Sequence, residues 1–204
     1  MLYFTSDQHY HHLRALELMP GRPWSTLQAM NEGLILRHNS VVSQDDVVIM
    51  LGDFVMGPKA QNIPAILPRL LGRKYLILGN HDAGFNPQEH RAEEKLRLYT
   101  DHGINQLFHG CVSLNDLLRQ IGEEDYITPE EILLCHFPYK GTPDHGYEVR
   151  YEAQMPVPTD KLLLHGHTHR SEVKTSPKMI HVGVDAWNWT PVSLNQILDL
   201  YRTF

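Results

Sequence analysis

The chain has 204 residues, of which 42% are hydrophobic and 21% charged, a composition typical of a globular protein with a buried core. We therefore expect a single domain over residues 1–204. The formal net charge of -6 argues against a surface that attracts long nucleic acids. The chain has two cysteines and shows neither an apolar membrane span nor a signal peptide, so we expect a cytoplasmic protein without membrane association.

Predicted strands and helices alternate in the first half of the chain. Ser25 and Gln28 fit a capping box at the start of the first long helix. Pro64 and Pro68 interrupt the apolar face of the second helix, and Gly72 ends it. This βαβαβ order predicts a parallel sheet with right-handed crossovers. The predicted strands are 2–5, 47–51 and 74–78, and the last two predicted helices are 58–71 and 87–101.

In the second half, the predicted strands lie closer together and are joined by loops more often than by helices. One loop, 137–158, is rich in Gly, Pro, His and Tyr, and a loop of this length in a compact domain is commonly functional. We expect a second sheet that packs face to face with the first, with this loop near the mouth of a site on their shared edge. The predicted strands are 107–114, 131–135, 161–164 and 179–184.

Residues that commonly bind metals follow five of these predicted strands. Hydrophobic strands that carry carboxylates and imidazoles at their C-terminal ends are typical of α/β metalloenzymes. Asp or Asn after a strand is also a common turn or cap residue, but that role does not explain why all five segments carry ligands. The segments are Ser6-Asp7-Gln8-His9, Gly52-Asp53, Gly79-Asn80-His81-Asp82, Cys135-His136 and Gly166-His167-Thr168-His169.

The spacing within these segments favours shared ions. Asp7 and His9 are two residues apart, so on an extended strand end they point to the same face and can reach one ion. His167 and His169 repeat this spacing. The carboxylate of Asp53 has two oxygens and can bridge two ions.

The candidate ligands number too many for one tetrahedral zinc and include no thiolate set. Seven oxygen and nitrogen donors suit two ions that share a bridging carboxylate, an arrangement that favours displacement at phosphorus. Imidazole-rich sites of this kind suit manganese, with iron, zinc or nickel as alternatives, better than magnesium or calcium. The seven candidates are Asp7, His9, Asp53, Asn80, His136, His167 and His169.

The ordered pattern D-x-H, G-D, G-N-H-D, H, G-H-x-H resembles that of the calcineurin-like metallophosphoesterase superfamily, and its compact bacterial and phage branch in particular. The resemblance implies a two-sheet αββα sandwich with a dinuclear site at the C-terminal strand ends. It implies that one ion binds Asp7, His9, Asp53 and His169. It implies that the other binds Asp53, Asn80, His136 and His167, with Asp53 as the bridge.

The resemblance also implies the catalytic residues and the reaction. His81 matches the family histidine that contacts the substrate phosphate and helps the leaving group to depart, and Asp82 matches the carboxylate that orients it. The implied activity is hydrolysis of a phosphoester by a hydroxide that bridges the two metal ions. We expect a phosphodiesterase acting on small nucleotides, with 2′,3′-cyclic nucleotides as the first substrates to test.

Other activities share the same predicted site. A phosphomonoesterase, a protein phosphatase or a dinucleoside polyphosphate hydrolase would differ only in the surrounding loops. A scaffold that has lost catalysis would lack some ligands or His81, and none of these residues is missing. The sequence does not indicate an oligomeric state.

For further residues near the predicted site, the sequence leaves open whether they bind substrate or have another role. His12 lies three residues after His9 and either binds substrate phosphate or packs at the surface. Arg150 and Lys140 in the long loop either face phosphate or are solvated charges. Trp187 and Trp189 either stack on a base or pack in the core or a lid. His165 and His181 are expected to be structural, His165 through core packing or a contact with ligand residues.

Overall fold

The structure is a computed structural model that describes residues 1–143 and 151–203. It contains two five-stranded sheets packed face to face, which confirms the predicted fold class. The first sheet has the order β10-β1-β2-β3-β4, with β10 antiparallel to β1 and the other neighbours parallel. Its strands are β1 Leu2–Thr5, β2 Val47–Met50, β3 Arg73–Ile77, β4 Ile104–Phe108 and β10 Val192–Ser193.

The second sheet has the order β5-β6-β7-β9-β8. Its three central strands are parallel, and the two edge strands run antiparallel to them. Its strands are β5 Val112–Ser113, β6 Ile132–Leu134, β7 Leu162–His165, β8 Lys174–Ser176 and β9 Met179–His181. The helices are α1 Ala15–Leu18, α2 Leu27–Val41, α3 Lys59–Ile66, α4 Ala92–Thr100, α5 Leu114–Ile121 and α6 Leu194–Tyr201.

Alternating residues of the strands build two faces of the core, as the two-residue period of a strand requires. Phe4 and Ile49 of the first sheet pack with Leu134 and Leu164 of the second in one cluster between the sheets. Their neighbours along the strands point the other way, against α2 and α3. That second cluster includes Tyr3, Val48, Met50, Leu76, Met30, Leu34 and Ile63. On the second sheet, Leu163 packs with Phe137, Tyr139 and Met155 of the long loop.

The sequence prediction was wrong at several boundaries. Helix α2 begins at Leu27, and its N-cap is Thr26, whose hydroxyl accepts the N–H of Ala29 at 3.1 Å; Ser25 is not the cap. The predicted strand 107–114 is two strands in different sheets, because Gly110 turns the chain with a φ of 70°.

Two helices in the second half were not predicted. Helices α5 and α6 both begin after a serine N-cap, and their apolar residues join the cluster between the sheets. Helix α4 begins at Ala92, later than predicted. Within the described residues, no helix is both long and apolar enough to cross a membrane.

The parallel strands of both sheets deliver their carboxyl ends to one shared edge. Backbone hydrogen bonds continue past the strands there, from Asp7 N–H to the Gly52 carbonyl at 3.0 Å and from Gly166 N–H to the His136 carbonyl at 2.9 Å. The two sheets are joined at this edge, because the Val184 N–H donates to the Ser6 carbonyl at 3.0 Å. Residues that follow β1, β2, β3, β6 and β7 therefore meet in one place.

Candidate metal centre

The structure brings all seven predicted ligands together at this edge. Five of them have a left-handed backbone, with φ of 60° at Asp7, 50° at His9, 56° at Asp53, 68° at His167 and 49° at His169. A left-handed conformation costs a residue other than glycine about 1–3 kcal/mol, and such residues concentrate at functional sites. The surrounding hydrogen bonds hold the chain in this form and turn each side chain back toward the shared edge.

Glycines allow the close approach of the strand ends. A Cβ atom on Gly166 would lie 2.1 Å from Ser6 Oγ and 2.4 Å from Asp7 Oδ2. A Cβ atom on Gly79 would lie 2.4 Å from Asp53 Oδ1. Glycine is therefore required at both positions, because a side chain would overlap the Ser6 hydroxyl and the carboxylates of Asp7 and Asp53.

Asp7, His9 and His169 form the first donor group. One donor atom from each lies within 4.8 Å of the others. His9 Nε2 lies 3.1 Å from His169 Nε2, which in turn lies 3.8 Å from Asp7 Oδ1. Asp7 also accepts the His167 N–H, at 3.1 Å on one oxygen and 3.0 Å on the other, so the loop after β7 positions this carboxylate.

Asp53, His136 and His167 form the second donor group, also within 4.8 Å. His136 Nε2 lies 3.2 Å from His167 Nδ1 and 3.0 Å from Asn80 Oδ1, so Asn80 belongs beside this group. His136 Nδ1 donates to the Leu51 carbonyl at 2.7 Å. In a neutral imidazole this bond leaves the Nε2 lone pair directed at the cluster.

The carboxylate of Asp53 lies between the two groups. Its Oδ2 is 3.4 Å from His9 Nε2 and 3.5 Å from His136 Nε2. Its Oδ1 accepts the backbone N–H of His81 at 2.9 Å, which fixes the orientation of the carboxylate. One oxygen of Asp53 thus faces ligand nitrogens from both groups, as a bridging ligand must.

Electrostatics within the cluster suits divalent cations. Burial lowers the pKa of His9 to about 3, so its imidazole is neutral near pH 7 and can act as a ligand. Burial raises the pKa of Asp7. Burial also opposes ionisation of Asp53, but His136 and His9 beside it hold the pKa of that carboxyl well below its usual value. Converging carboxylate oxygens and imidazole nitrogens fit two divalent ions with mixed oxygen and nitrogen ligands.

An ion pair behind the first group was missed by the sequence analysis. Asp185 Oδ2 lies 3.2 Å from His169 Nδ1, so an N–H on that nitrogen would donate to it and leave Nε2 for a metal. Arg22 donates to both oxygens of Asp185, at 2.9 and 3.1 Å. The same guanidinium donates to the carbonyls of Gln8 and Asp7, each at 2.8 Å. Arg22 therefore ties the loop after β1 to the carboxylate that orients His169.

Asp185→Asn is expected to weaken Mn²⁺ binding about 10- to 100-fold, because a carboxylate that orients a ligand histidine contributes that much to affinity. Titration of the metal-free protein with Mn²⁺ in the presence of a competing chelator measures the change. Asp199→Asn makes the same charge change at an exposed position of α6 and should bind Mn²⁺ as the wild type does. Equal affinity in Asp185→Asn and Asp199→Asn would show that Asp185 does not support the site.

His81 lies at the mouth of the site, and its side chain is exposed. Its ring centroid is 5.4 Å from that of His9, so a group bound beside the first donor group lies within its reach. This position is compatible with the expected contact to substrate phosphate.

Asp82 is placed differently from the expectation. It is buried, and its carboxylate accepts hydrogen bonds from the N–H groups of Asp53, Gly79 and Phe54 at 2.8, 2.9 and 3.0 Å and from the Tyr99 hydroxyl at 3.1 Å. None of its hydrogen bonds within the described residues goes to the His81 ring. Through these hydrogen bonds, Asp82 holds together the two loops after β2 and β3, which carry candidate ligands.

His12 lies where a substrate could reach it. Its ring centroid is 5.4 Å from that of His9. A pocket of about 540 Å³ opens here, and Arg14, which the sequence analysis did not single out, also lines it. Arg150 lies outside the described residues. Lys140 is exposed and lies 3.3 Å from Glu152, which favours the interpretation as a solvated loop charge.

The other residues singled out in the sequence form hydrogen bonds or packing contacts within the protein. His165 is buried, with its ring nitrogens 2.8 Å from the Gly166 carbonyl and 2.7 Å from the Thr175 hydroxyl. Trp187 donates to the His181 carbonyl at 2.8 Å. Trp189 packs 5.5 Å from the ring of Trp24. His181 is nevertheless close to the centre, with Nε2 4.0 Å from Asp7 Oδ2.

The fold and the donor groups define a metallohydrolase-type site, and comparison with known sequences identifies the family. The sequence model described as calcineurin-like phosphoesterase matches residues 2–171. The chain belongs to the calcineurin-like phosphoesterase family, and the resemblance in the sequence motifs is confirmed. Membership makes the protein a hydrolase of phosphoesters, and the family usually holds two divalent ions at a site that the two donor groups match.

Relatives of similar length occur in phages and archaea. The chain is 34% identical over 203 residues to the Gene 66 protein of Mycobacterium phage L5, which aligns 97% of this chain with 92% of that protein. It is 27% identical over 206 residues to the uncharacterized protein MJ1445 of Methanocaldococcus jannaschii, aligning 98% of this chain with 90% of that protein. The crystal structure of AQ665 from Aquifex aeolicus, a protein of unknown function, shares the fold with a TM-score of 0.69 at 22% identity and covers 98% of each chain.

Proposed function

We propose that the protein is a phosphodiesterase that hydrolyses small nucleotides, with 2′,3′-cyclic nucleotides as the leading substrates. The observation that carries this proposal is the Asp53 carboxylate, placed between two groups of ligand atoms with His81 exposed beside them. Such a pair of sites holds both the attacking and the leaving oxygen of an in-line displacement at phosphorus. Manganese is the proposed metal, with iron, zinc and nickel as alternatives.

Different residues of the chain would have different roles in such a reaction. Asp7, His9, Asp53 and His169 would hold one ion, and Asp53, Asn80, His136 and His167 the other. When bound, the two ions supply hydroxide near neutral pH and positive charge against the phosphoryl oxygens. The protein contributes the fixed positions of these ligands, and His81 would donate a hydrogen bond to the phosphoryl group and a proton to the departing oxygen. His12 would bind a phosphoryl oxygen in the pocket that it lines together with His9 and His81.

The preference for diesters rests on the open mouth of the site. His81 is exposed, so the second ester group of a diester can extend away from the donor groups without a clash. Within residues 1–143 and 151–203, no separate cap domain encloses the site. The proposed partner is therefore a small phosphorylated molecule in the cytoplasm, and the negative net charge of -6 disfavours long nucleic acids.

Hydrolysis of paired substrates tests the proposal. The Mn²⁺-loaded protein should cleave bis-p-nitrophenyl phosphate and adenosine 2′,3′-cyclic monophosphate faster than p-nitrophenyl phosphate, and a chelator should abolish all three activities. Faster cleavage of the monoester would reassign the protein as a phosphomonoesterase or protein phosphatase. Preferential cleavage of diadenosine tetraphosphate would make it a dinucleoside polyphosphate hydrolase. Bound ions without turnover of any of these compounds would refute the enzymatic proposal and favour a scaffold.

A further inference from the structure

An aromatic pocket opens next to the second donor group. It has a volume of about 800 Å³, and Asn80 and His136 form the end nearest to the metal ligands. Phe85, Phe137 and Tyr151 form an aromatic wall. This volume lies in the range of pockets that bind small organic ligands.

The three aromatic rings form one continuous surface. Phe137 lies 6.0 Å from Phe85 and 5.4 Å from Tyr151, and Phe85 lies 6.3 Å from Tyr151, measured between ring centroids. Phe137 is buried, Phe85 is partly buried and Tyr151 is 38% exposed, so the wall runs from the protein interior to its rim. An exposed ring face at the rim of a pocket offers a stacking surface for a planar group.

The aromatic wall touches the metal ligands directly. The ring of Phe137 is 4.9 Å from that of His136 and 4.8 Å from that of His167. The ring of Tyr151 is 5.9 Å from that of His167. A phosphoryl group held at the second donor group would therefore have its attached sugar and base within reach of this wall.

Polar side chains line the same pocket. Asn86, His109 and Gln154 are exposed and add hydrogen-bond donors and acceptors around the aromatic wall. A planar group with polar edges matches such a pocket better than a plain hydrocarbon, because its face can stack while its edges form hydrogen bonds. Purine and pyrimidine bases have this chemistry.

The neighbouring pocket beside His81 has a different character. It is lined by charged side chains and lacks a Phe, Tyr or Trp ring. Its cations are largely paired, with Lys95 2.8 Å from Glu89 and Arg91 3.5 Å from Glu94. The aromatic pocket is therefore the better match for an uncharged heterocyclic ring.

We infer that the pocket walled by Phe85, Phe137 and Tyr151 binds the base of the nucleotide whose phosphoryl group lies at the metal centre. This inference rests on the proposed function, which it makes more specific. Stacking of a base on an aromatic side chain is sequence-tolerant, because every base has a π-face. The pocket therefore selects nucleotides over base-free phosphodiesters and accepts both purines and pyrimidines.

Tyr151→Leu tests the inference, since leucine keeps apolar volume at the rim but removes the ring. With Mn²⁺ bound, the variant should raise the KM for adenosine 2′,3′-cyclic monophosphate by at least about fivefold, the effect expected from losing one stacking partner. For glycerol 1,2-cyclic phosphate, which has no base, the loss in kcat/KM should be several-fold smaller than for the nucleotide. An unchanged KM for the nucleotide, or an equal loss with both substrates, would overturn the inference.

Tyr126→Leu provides a matched control. Tyr126 is partly buried near Arg73, the first residue of β3, and Asp46, which directly precedes β2. Both residues lie at the opposite end of the sheet from the metal centre. The control variant should leave the KM for both cyclic substrates unchanged. A rise in the nucleotide KM in Tyr126→Leu equal to that in Tyr151→Leu would count against a specific pocket.

A binding measurement separates this inference from the proposed function. Calorimetry with the Mn²⁺-loaded wild type should show adenosine 3′-monophosphate binding at least about fivefold more tightly than ribose 5-phosphate, with the difference lost in Tyr151→Leu. If no cyclic substrate is hydrolysed but this difference is observed, the proposed activity fails and the base pocket stands. If the cyclic substrates are hydrolysed but both monophosphates bind equally, the activity stands and the base pocket is refuted.

Discussion

Asp53→Asn is expected to lower phosphoester hydrolysis by about 10³-fold or more and to reduce the bound Mn²⁺ below two ions per chain. Oδ2 of Asp53 faces ligand nitrogens of both groups, at 3.4 Å from His9 and 3.5 Å from His136, so no other described side chain can replace it. Asparagine presents a single neutral oxygen and removes the negative charge that both ions would share. Loss of even one group that stabilises transition-state charge commonly costs 10²–10³-fold, and here the shared ligand is lost.

Metal content by mass spectrometry and initial rates on bis-p-nitrophenyl phosphate measure this effect, with Asp199→Asn as the charge-matched control on α6. The metal-free Asp53→Asn protein should remain folded. Its amide oxygen can still accept the His81 N–H. The substitution also removes the repulsion between Asp53 and the carboxylates of Asp7 and Asp82, whose pKa values are raised by burial and by Asp53. Two tightly bound ions together with wild-type rates in Asp53→Asn would refute the bridging role.

The candidate ligand set could be predicted from the sequence because each member lies within four residues of a strand end. Short apolar runs fix where β1, β2 and β7 stop, and parallel pairing brings their carboxyl ends to one edge. Ligands such as Asp53 and His136 are therefore close in space although 83 positions separate them in the sequence numbering. The two-residue spacing correctly placed Asp7 and His9 in one donor group, although both have a left-handed backbone and not an extended one. His167 and His169 repeat this spacing but lie in different donor groups, so the same argument was wrong for them.

Contacts that depend on packing between distant segments could not be predicted. Arg22 and Asp185 are far apart in sequence, and the bidentate ion pair between them exists only because the loop after β1 meets the turn after β9. Asp82 stands next to His81 in sequence, but its carboxylate points inward to backbone N–H groups of the loops after β2 and β3. Adjacency in sequence thus gave the wrong partner for a buried carboxylate.

The unpredicted helices illustrate a different cause. Leu114, Leu117 and Leu118 of α5 have helical spacing, and Ser193 with Gln196 forms a complete capping box at the start of α6. The sequence therefore contained the information for both helices. Each of them follows a two-residue strand, and such short strands at sheet edges give no periodic pattern that separates them from the helix start.

His81→Ala is expected to lower kcat for adenosine 2′,3′-cyclic monophosphate about 10²- to 10⁴-fold, the range for loss of a general acid. Its ring is exposed at the mouth, 5.4 Å from the His9 ring, and its imidazole belongs to neither donor group. Mn²⁺ binding should therefore be unchanged, in contrast with Asp53→Asn. His90→Ala, an exposed histidine nine positions along the chain, is the control and should keep wild-type rates.

The leaving group decides between two roles for His81. A ribose alkoxide needs a proton as it departs, whereas p-nitrophenolate leaves without one, so a general acid matters far more for the nucleotide. We expect the rate on bis-p-nitrophenyl phosphate to fall much less in His81→Ala than the rate on the cyclic nucleotide. Equal losses on both substrates would assign His81 to binding and orienting the phosphoryl group only, and loss of bound Mn²⁺ would make it a ligand. The hydrogen bond from His81 to Asp53 comes from the backbone N–H, which the alanine variant keeps, so the ligand cluster itself should remain intact.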